Sequence, residues 1–430
     1  MTAHGEPAGP GSEGDAPQVG LFVLWGNGRA AADRIVTDLA DRFEVLHVYE
    51  VHWGRALVIR NFRRFYNDID VRGIGHLYKK GGGPFLAATV VDRAPRIEDR
   101  VTARGLRPVN SRFLDAKLAY REWTSDLVVH GGENDWENTR DITMLLGEDP
   151  QTHLARSTQQ WDGLVERLDR DVAGAHGWPS ARELFHVLNH TVRYAVLEPE
   201  DPAAALDHGA STVELLAGPR SGLPSTLPTI LNAEARLLSL PDAGGRYAVR
   251  VGGRSVTVTI RHVGDQLFDR RWGADLIARR VLDPRGWYRP SPADAAEVRA
   301  YRALMHRARL NAGRLVSIAT AARAAGASPQ ILEALADPGR RPNALDAFLA
   351  ERGYAHVRPL DLRVAYRYEA VGERRPGIRR ITDRATLAAR LAVRVVTCPL
   401  ASAYHELRDR FLLAAPWARD VRRTVARAFR

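Results

Sequence analysis

The densest group of reactive side chains lies between Val129 and Asp141: His130, Gly131-Gly132, Glu133, Asn134, Glu137, Asn138 and Asp141. Histidine is the side chain whose unperturbed pKa lies near neutrality, so His130 is a candidate general acid or base. Glu133 and Asp141 are the candidates to orient it. Asn138 and Asp141, at i and i+3, share a face if the stretch is helical. Asn134 followed three residues later by Glu137 is a capping-box pattern and places the helix start near Asp135. A strand, a Gly-Gly turn and a helix N-terminus leave backbone N–H groups pointing outward, which suits an anion. The plainer alternative is that Asn134 and Glu137 only cap the helix while His130 bonds a loop carbonyl.

A second group is marked by lysine. The chain carries 62 lysines and arginines, and only Lys79, Lys80 and Lys117 are lysines. An ammonium is a compact charge that can titrate, which a guanidinium cannot supply. Lys79 and Lys80 precede Gly81-Gly82-Gly83, and glycine lets a backbone approach a ligand closely. The loop enters a strand rather than a helix, so it is not a Walker A loop. Lys117 and Arg121, at i and i+4, form a candidate phosphate clamp. Lys79, Lys80, Gly82, Gly83, Lys117, Arg121, Asn134 and Asn138 are therefore the expected phosphate-binding set. The alternative is three surface lysines left by chance.

The elements that must position these residues follow from periodicity. Leu21 to Trp25 reads as a buried strand, Ala30 to Arg42 as a helix, Glu44 to Val51 and Phe85 to Val91 as strands. Val109 to Trp123 reads as a helix, Leu127 to Val129 as a short strand, and Trp136 to Leu146 as a helix ending at Gly147. Strands alternating with helices predict an α/β domain over 20–150. Helices dominate from Gln151 to Leu197. A stretch at Val213 to Leu216, a helix near Ala233 to Leu240 and two strands joined by Gly252-Gly253 follow, so 151–290 is expected to be an α+β domain. A helical, arginine-rich region is expected over 291–430.

Composition narrows the function classes. One cysteine, Cys398, excludes a disulfide framework and any multi-cysteine metal site. The net charge of +11 is uneven. From Glu351 onward there are 18 arginines against 8 acidic residues, so the end of the chain holds nearly all of it. Ala414 to Arg430 repeats apolar Trp417, Val421, Val425 and Phe429 among arginines, an amphipathic basic helix suited to an anionic membrane surface. The alternatives are packing on the helical region and, ranked lower, nucleic acid, since no nucleic-acid-binding signature accompanies the arginines. The leader, 1–20, is Gly-, Pro- and acid-rich and is expected to be disordered. It lacks the apolar region of a signal peptide, and no run of about 18 apolar residues occurs anywhere. The expected location is cytoplasmic, with peripheral association at the inner face of the membrane.

The segments GGGPFLAATVVD, TARGLRPVNSRFLDAKLAYREWT and VHGGENDWENTRDITMLLG resemble the N-terminal domain of uncharacterised bacterial proteins associated with surface-glycopolymer (capsule, teichoic-acid-like) biosynthesis. The following region is similar to their nucleotidyltransferase-like module, and the resemblance spans most of residues 20 to 310. In that module a His-Gly turn precedes Asp-x-Asp on one strand, and a third Asp lies on a later strand. The matching positions here are His208-Gly209, Thr212-Val213-Glu214 and Thr259-Ile260-Arg261, followed by Asp265, Asp269 and Trp272. The resemblance implies Mg2+ as cofactor, with Glu214 and Asp265 as its candidate ligands. Only one of the three acidic positions, Glu214, is acidic, so the module is expected to be a weak or inactive nucleotidyltransferase, a pseudoenzyme. The function implied is a transferase-like protein handling a nucleotide or a sugar or polyol phosphate in glycopolymer biosynthesis. The alternative is a non-catalytic scaffold that recruits anionic partners through its arginine-rich end.

Overall fold

The first apolar run forms strand β1 (Gln18–Leu24), buried along its whole length. The structure, a computed structural model, describes residues 16–66, 79–102, 105–124, 128–157, 161–209, 212–218, 226–235, 245–306, 311–359, 361, 364–372 and 389. It is mixed α/β with several sheets, and the chain divides into two compact units. Unit 1 takes the described residues up to Arg193, with those of Ser221–Asn232 and Arg250–Gly253. Unit 2 takes the rest.

In unit 1, β1 is followed by α1 (Ala32–Arg42), β2 (Glu44–His52), α2 (Val58–Tyr66) and β3 (Phe85–Asp92). Then come β4 (Ile97–Thr102), β5 (Gly105–Asn110), α3 (Ser111–Trp123), β6 (Val129–Gly131), α4 (Asp135–Leu146), α5 (Pro150–Arg156), β7 (Val165–Asp169) and α6 (Ala181–Thr191). Five strands form one sheet in the order β6-β1-β3-β2-β7. The central strands β1 and β3 are buried at every position, which explains their uninterrupted apolar runs. Alternation of helix and strand does not yield a parallel sheet here. Only β2 and β7 run parallel; β1 with β3, β1 with β6 and β2 with β3 are antiparallel. Phe22, Phe43, Phe113 and Tyr120 interlock on the face covered by α1 and α3.

Several boundaries differ from expectation. β1 begins at Gln18, inside the segment assigned to the leader. Val109 and Asn110 end β5, and α3 starts after Asn110, whose side chain accepts from the Arg112 N–H. The β4/β5 hairpin carries no apolar alternation, because β4 is exposed at most positions. Unit 1 extends past residue 150 because β7 joins its sheet and α6 packs on α4.

Unit 2 contains β8 (Tyr194–Glu198), α7 (Pro202–His208), β9 (Val213–Ala217), β10 (Glu234–Ala235), β11 (Gly245–Val251, whose last two residues count with unit 1) and β12 (Arg254–His262). These strands form a sheet in the order β10-β11-β12-β9-β8, with β9 and β12 parallel. Gly252 and Gly253 make the tight turn between β11 and β12 at φ of +54° and +75°, a region that favours glycine. After them come α8 (Arg270–Ala278), β13 (Val281–Leu282), β14 (Tyr288–Arg289), α9 (Pro292–Met305), α10 (Ala312–Ala324), α11 (Pro329–Ala336) and α12 (Arg341–Glu351). The helical region expected after residue 290 is thus present to Glu351. Its core is centred on fully buried Trp272, which packs against Tyr301, Phe348 and Tyr354. The basic stretch Ala414 to Arg430 lies outside the described residues. Among the described residues no helix is long and apolar enough to cross a membrane.

Candidate functional site

His130 sits on β6, the short edge strand that pairs with β1. Its Nε2 lies 2.6 Å from Oδ2 of Asp141 on α4. The other oxygen of Asp141 accepts from Nε and Nη2 of Arg140 at 2.9 and 2.8 Å. Burial alone would raise the Asp141 pKa, but Arg140 and His130 outweigh it and hold the carboxyl below its usual range. An ionised Asp141 accepts only, so Nε2 carries the hydrogen and the Nδ1 lone pair is left as the acceptor. Nδ1 has no hydrogen-bond partner among the described residues, and 14% of the side chain remains exposed. Phe65 and Tyr66 at the end of α2 meet the imidazole edge-on, at 5.5 and 5.2 Å. Burial lowers the His130 pKa, Asp141 opposes this, and the charges of Lys117 and Lys80 lower it further. The lowered pKa favours the neutral imidazole, with its hydrogen on Nε2.

The expected phosphate ligands divide. Lys79 is exposed while Lys80 is buried, with its ammonium over the faces of Tyr66 (4.8 Å) and Trp25 (5.7 Å). Gly81 adopts φ +86° beside Asn27, whereas Gly82 and Gly83 are exposed and nothing presses on Gly83. Lys117 is buried and ion-paired to Glu133 at 2.6 Å. Arg121 donates to the carbonyl of Val129 at 3.3 Å. The helical pair is thus engaged inside the protein and does not form an open clamp.

The other polar residues of the loop hold its shape. Glu133 does not orient His130; it accepts from Lys117 and from Arg107. Asn134 caps α4 by accepting from the Glu137 N–H at 2.9 Å, and Glu137 accepts from the Glu133 N–H at 3.1 Å. Asn138 is buried and accepts from the Leu21 N–H at 3.0 Å, tying α4 to β1. Its amide fills the space where a side chain at Gly132 would lie. The capping interpretation therefore holds for Asn134 and Glu137, and His130 bonds a carboxylate rather than a loop carbonyl. Arg140, Phe65, Tyr66 and Arg107 complete this site and were not anticipated. The adjacency of Arg140 to Asp141 was the one visible signal.

Unit 2 holds a second polar centre. Glu214 on β9 lies in register with Thr259 on the parallel neighbour β12. Both line a cavity of about 260 Å3, together with Thr212, Arg261, Arg302 and Asp361. Oε1 of Glu214 accepts from Nε of Arg261 at 2.8 Å, and Oε2 accepts from Nη2 of Arg302 at 2.6 Å. Burial would raise the Glu214 pKa, but Arg302 and Arg261 outweigh it and hold it low. Mg2+ needs oxygen ligands and carboxylate charge. Here both oxygens of Glu214 are already held by guanidinium groups, so these residues do not fit Mg2+. Asp265 is engaged elsewhere: it is buried and accepts from the N–H groups of Leu267 (2.9 Å) and His262 (3.3 Å). Among the described residues no group of three or more His, Cys, Asp or Glu is arranged to hold a metal. No family model and no curated protein matches the sequence.

Proposed function

We propose that the chain is a transferase-like protein that passes a phosphate-containing group to a hydroxyl acceptor, with His130 as the base. The observation that carries this reading is the Asp141–His130 pair, which leaves Nδ1 as the proton acceptor without a hydrogen-bond partner among the described residues. In the step, Nδ1 takes the acceptor's hydroxyl proton while that oxygen attacks phosphorus. The bond from phosphorus to the leaving oxygen breaks with its electron pair. Asp141 stabilises the imidazolium that forms. The resemblance to glycopolymer-associated nucleotidyltransferase-like proteins agrees with a nucleotide or a sugar or polyol phosphate as substrate. Unit 2 belongs to this proposal as a domain without nucleotidyl-transfer activity, since two guanidinium groups hold Glu214.

The test is a thermal-shift screen of the full chain against nucleoside triphosphates, sugar nucleotides and polyol phosphates. A specific ligand at about 100 times its Kd adds about 2.7 kcal/mol of apparent stability. Transfer assays with the ligands that score should show His130→Gln slowed about 100- to 10,000-fold, the range of a lost general base. The proposal fails if no phosphorylated compound shifts the wild type, or if His130→Gln turns over at the wild-type rate.

A further inference from the structure

The cavity of unit 2 is balanced in charge. Its described lining has three carboxylates, Glu198, Glu214 and Asp361, and three guanidinium groups, Arg246, Arg261 and Arg302. Arg261 links Glu214 to Asp361 (3.0 Å), and Arg302 closes on Glu214 from the other side. A free phosphate is drawn by surplus positive charge. A metal-bound nucleotide is drawn by surplus carboxylate. This cavity supplies neither. It does supply directional hydrogen bonding. The hydroxyls of Thr212 and Thr259 can both donate and accept, Glu198 is partly exposed, and Nη1 of Arg302 lies 3.6 Å from Glu198, beyond hydrogen-bond distance. Val364 adds an apolar contact. The volume of about 260 Å3 falls below the roughly 300–1,000 Å3 of pockets that hold drug-sized ligands. Alternating donors and acceptors, one apolar contact and small size match a single sugar ring or a short polyol.

We propose that this cavity binds an uncharged polyhydroxyl compound, a monosaccharide or short polyol, without a divalent cation. The site stands on unit 2 alone and is independent of the chemistry at His130.

The test is saturation-transfer NMR on the full chain in EDTA, with glucose, glycerol and ribitol as probes and inorganic phosphate and magnesium-ATP as comparators. At least one uncharged probe should bind saturably, and adding Mg2+ should not strengthen it. Thr259→Val and Glu198→Gln should each weaken that binding about fivefold, as expected for one lost hydrogen bond, with unfolding midpoints near the wild type. The proposal is overturned if none of the three probes saturates, if binding requires Mg2+, or if both variants bind like the wild type. Binding of magnesium-ATP that is lost in Thr259→Val would also overturn it, because the cavity would then be a nucleotide site.

Discussion

His306 gives the clearest pH dependence in the molecule. It follows α9 and packs against the rings of Tyr301 (5.5 Å) and Phe268 (6.3 Å), and both of its ring nitrogens are buried without a hydrogen-bond partner among the described residues. Burial pushes its pKa down to about 3, with Arg302 and Arg261 adding to the shift and Glu214 opposing it. In the unfolded chain the same group titrates near the ordinary value of about 6.5. The folded value is the lower one, so the unfolded state binds more protons in the interval between them. Stability is therefore complete above about pH 6.5 and declines as pH falls towards 3. Between pH 7 and pH 5 the loss from this group is about 2 kcal/mol, from an unfolded pKa of about 6.5 and a folded one of about 3. Urea denaturation at the two pH values, comparing wild type with His306→Phe, isolates it, because the other histidines titrate alike in both proteins. The variant should lose about 2 kcal/mol less on acidification. It should also be at least as stable at pH 7, since it removes two unsatisfied nitrogens. Identical pH dependence in the two proteins would refute the reasoning.

Four further outcomes follow from the first unit. Asp141→Ala should cost about 3–5 kcal/mol in chemical denaturation, because it leaves the buried Arg140 without its carboxylate. Gly81→Ala should destabilise by more than about 1 kcal/mol, since φ is +86° and the new Cβ would lie 2.8 Å from Oδ1 of Asn27. Gly83→Ala, with open space around it, should stay within about 0.5 kcal/mol of wild type by the same measurement. Asn134→Ala should lose about 1 kcal/mol by removing the cap of α4, read as a lower urea midpoint.

What was legible in the sequence was local and apolar. The runs that became β1 and β3 are buried on both faces, so hydrophobicity alone located them. Asn134, Glu137 and Gly147 bracket α4 because capping is a short-range matter of side chain and φ. Strands β4 and β7 escaped because their exposed residues carry no alternation. In the candidate site, His130 and Asp141 were visible as a pair of types 11 residues apart. The partners of Lys117 and Arg121 were not, because one meets a loop carboxylate and the other a strand carbonyl only after β6 has joined the sheet. The fate of Glu214 was equally hidden. That Thr212 and Thr259 are not acidic is plain in the sequence, but Arg302, 88 residues downstream, is brought to Glu214 only by the fold.

Arg64 has a consequence for how the protein is made. It is buried on α2, and its guanidinium donates to the carbonyls of Ala173 (2.6 Å), Ile230 (2.7 Å) and Thr229 (3.2 Å). Burial, with the charge of Arg60 adding to it, pulls its pKa down to about 9. Trp178 donates to the carbonyl of Leu231, and Asn232 donates back to those of Gly174 and Ala175. The first unit therefore closes on a segment that leaves the ribosome well after Arg193. A chain ending there would lack two of the three carbonyls that accept from Arg64. Completion of the first unit therefore requires synthesis through Asn232, beyond strands β8 and β9 of the second.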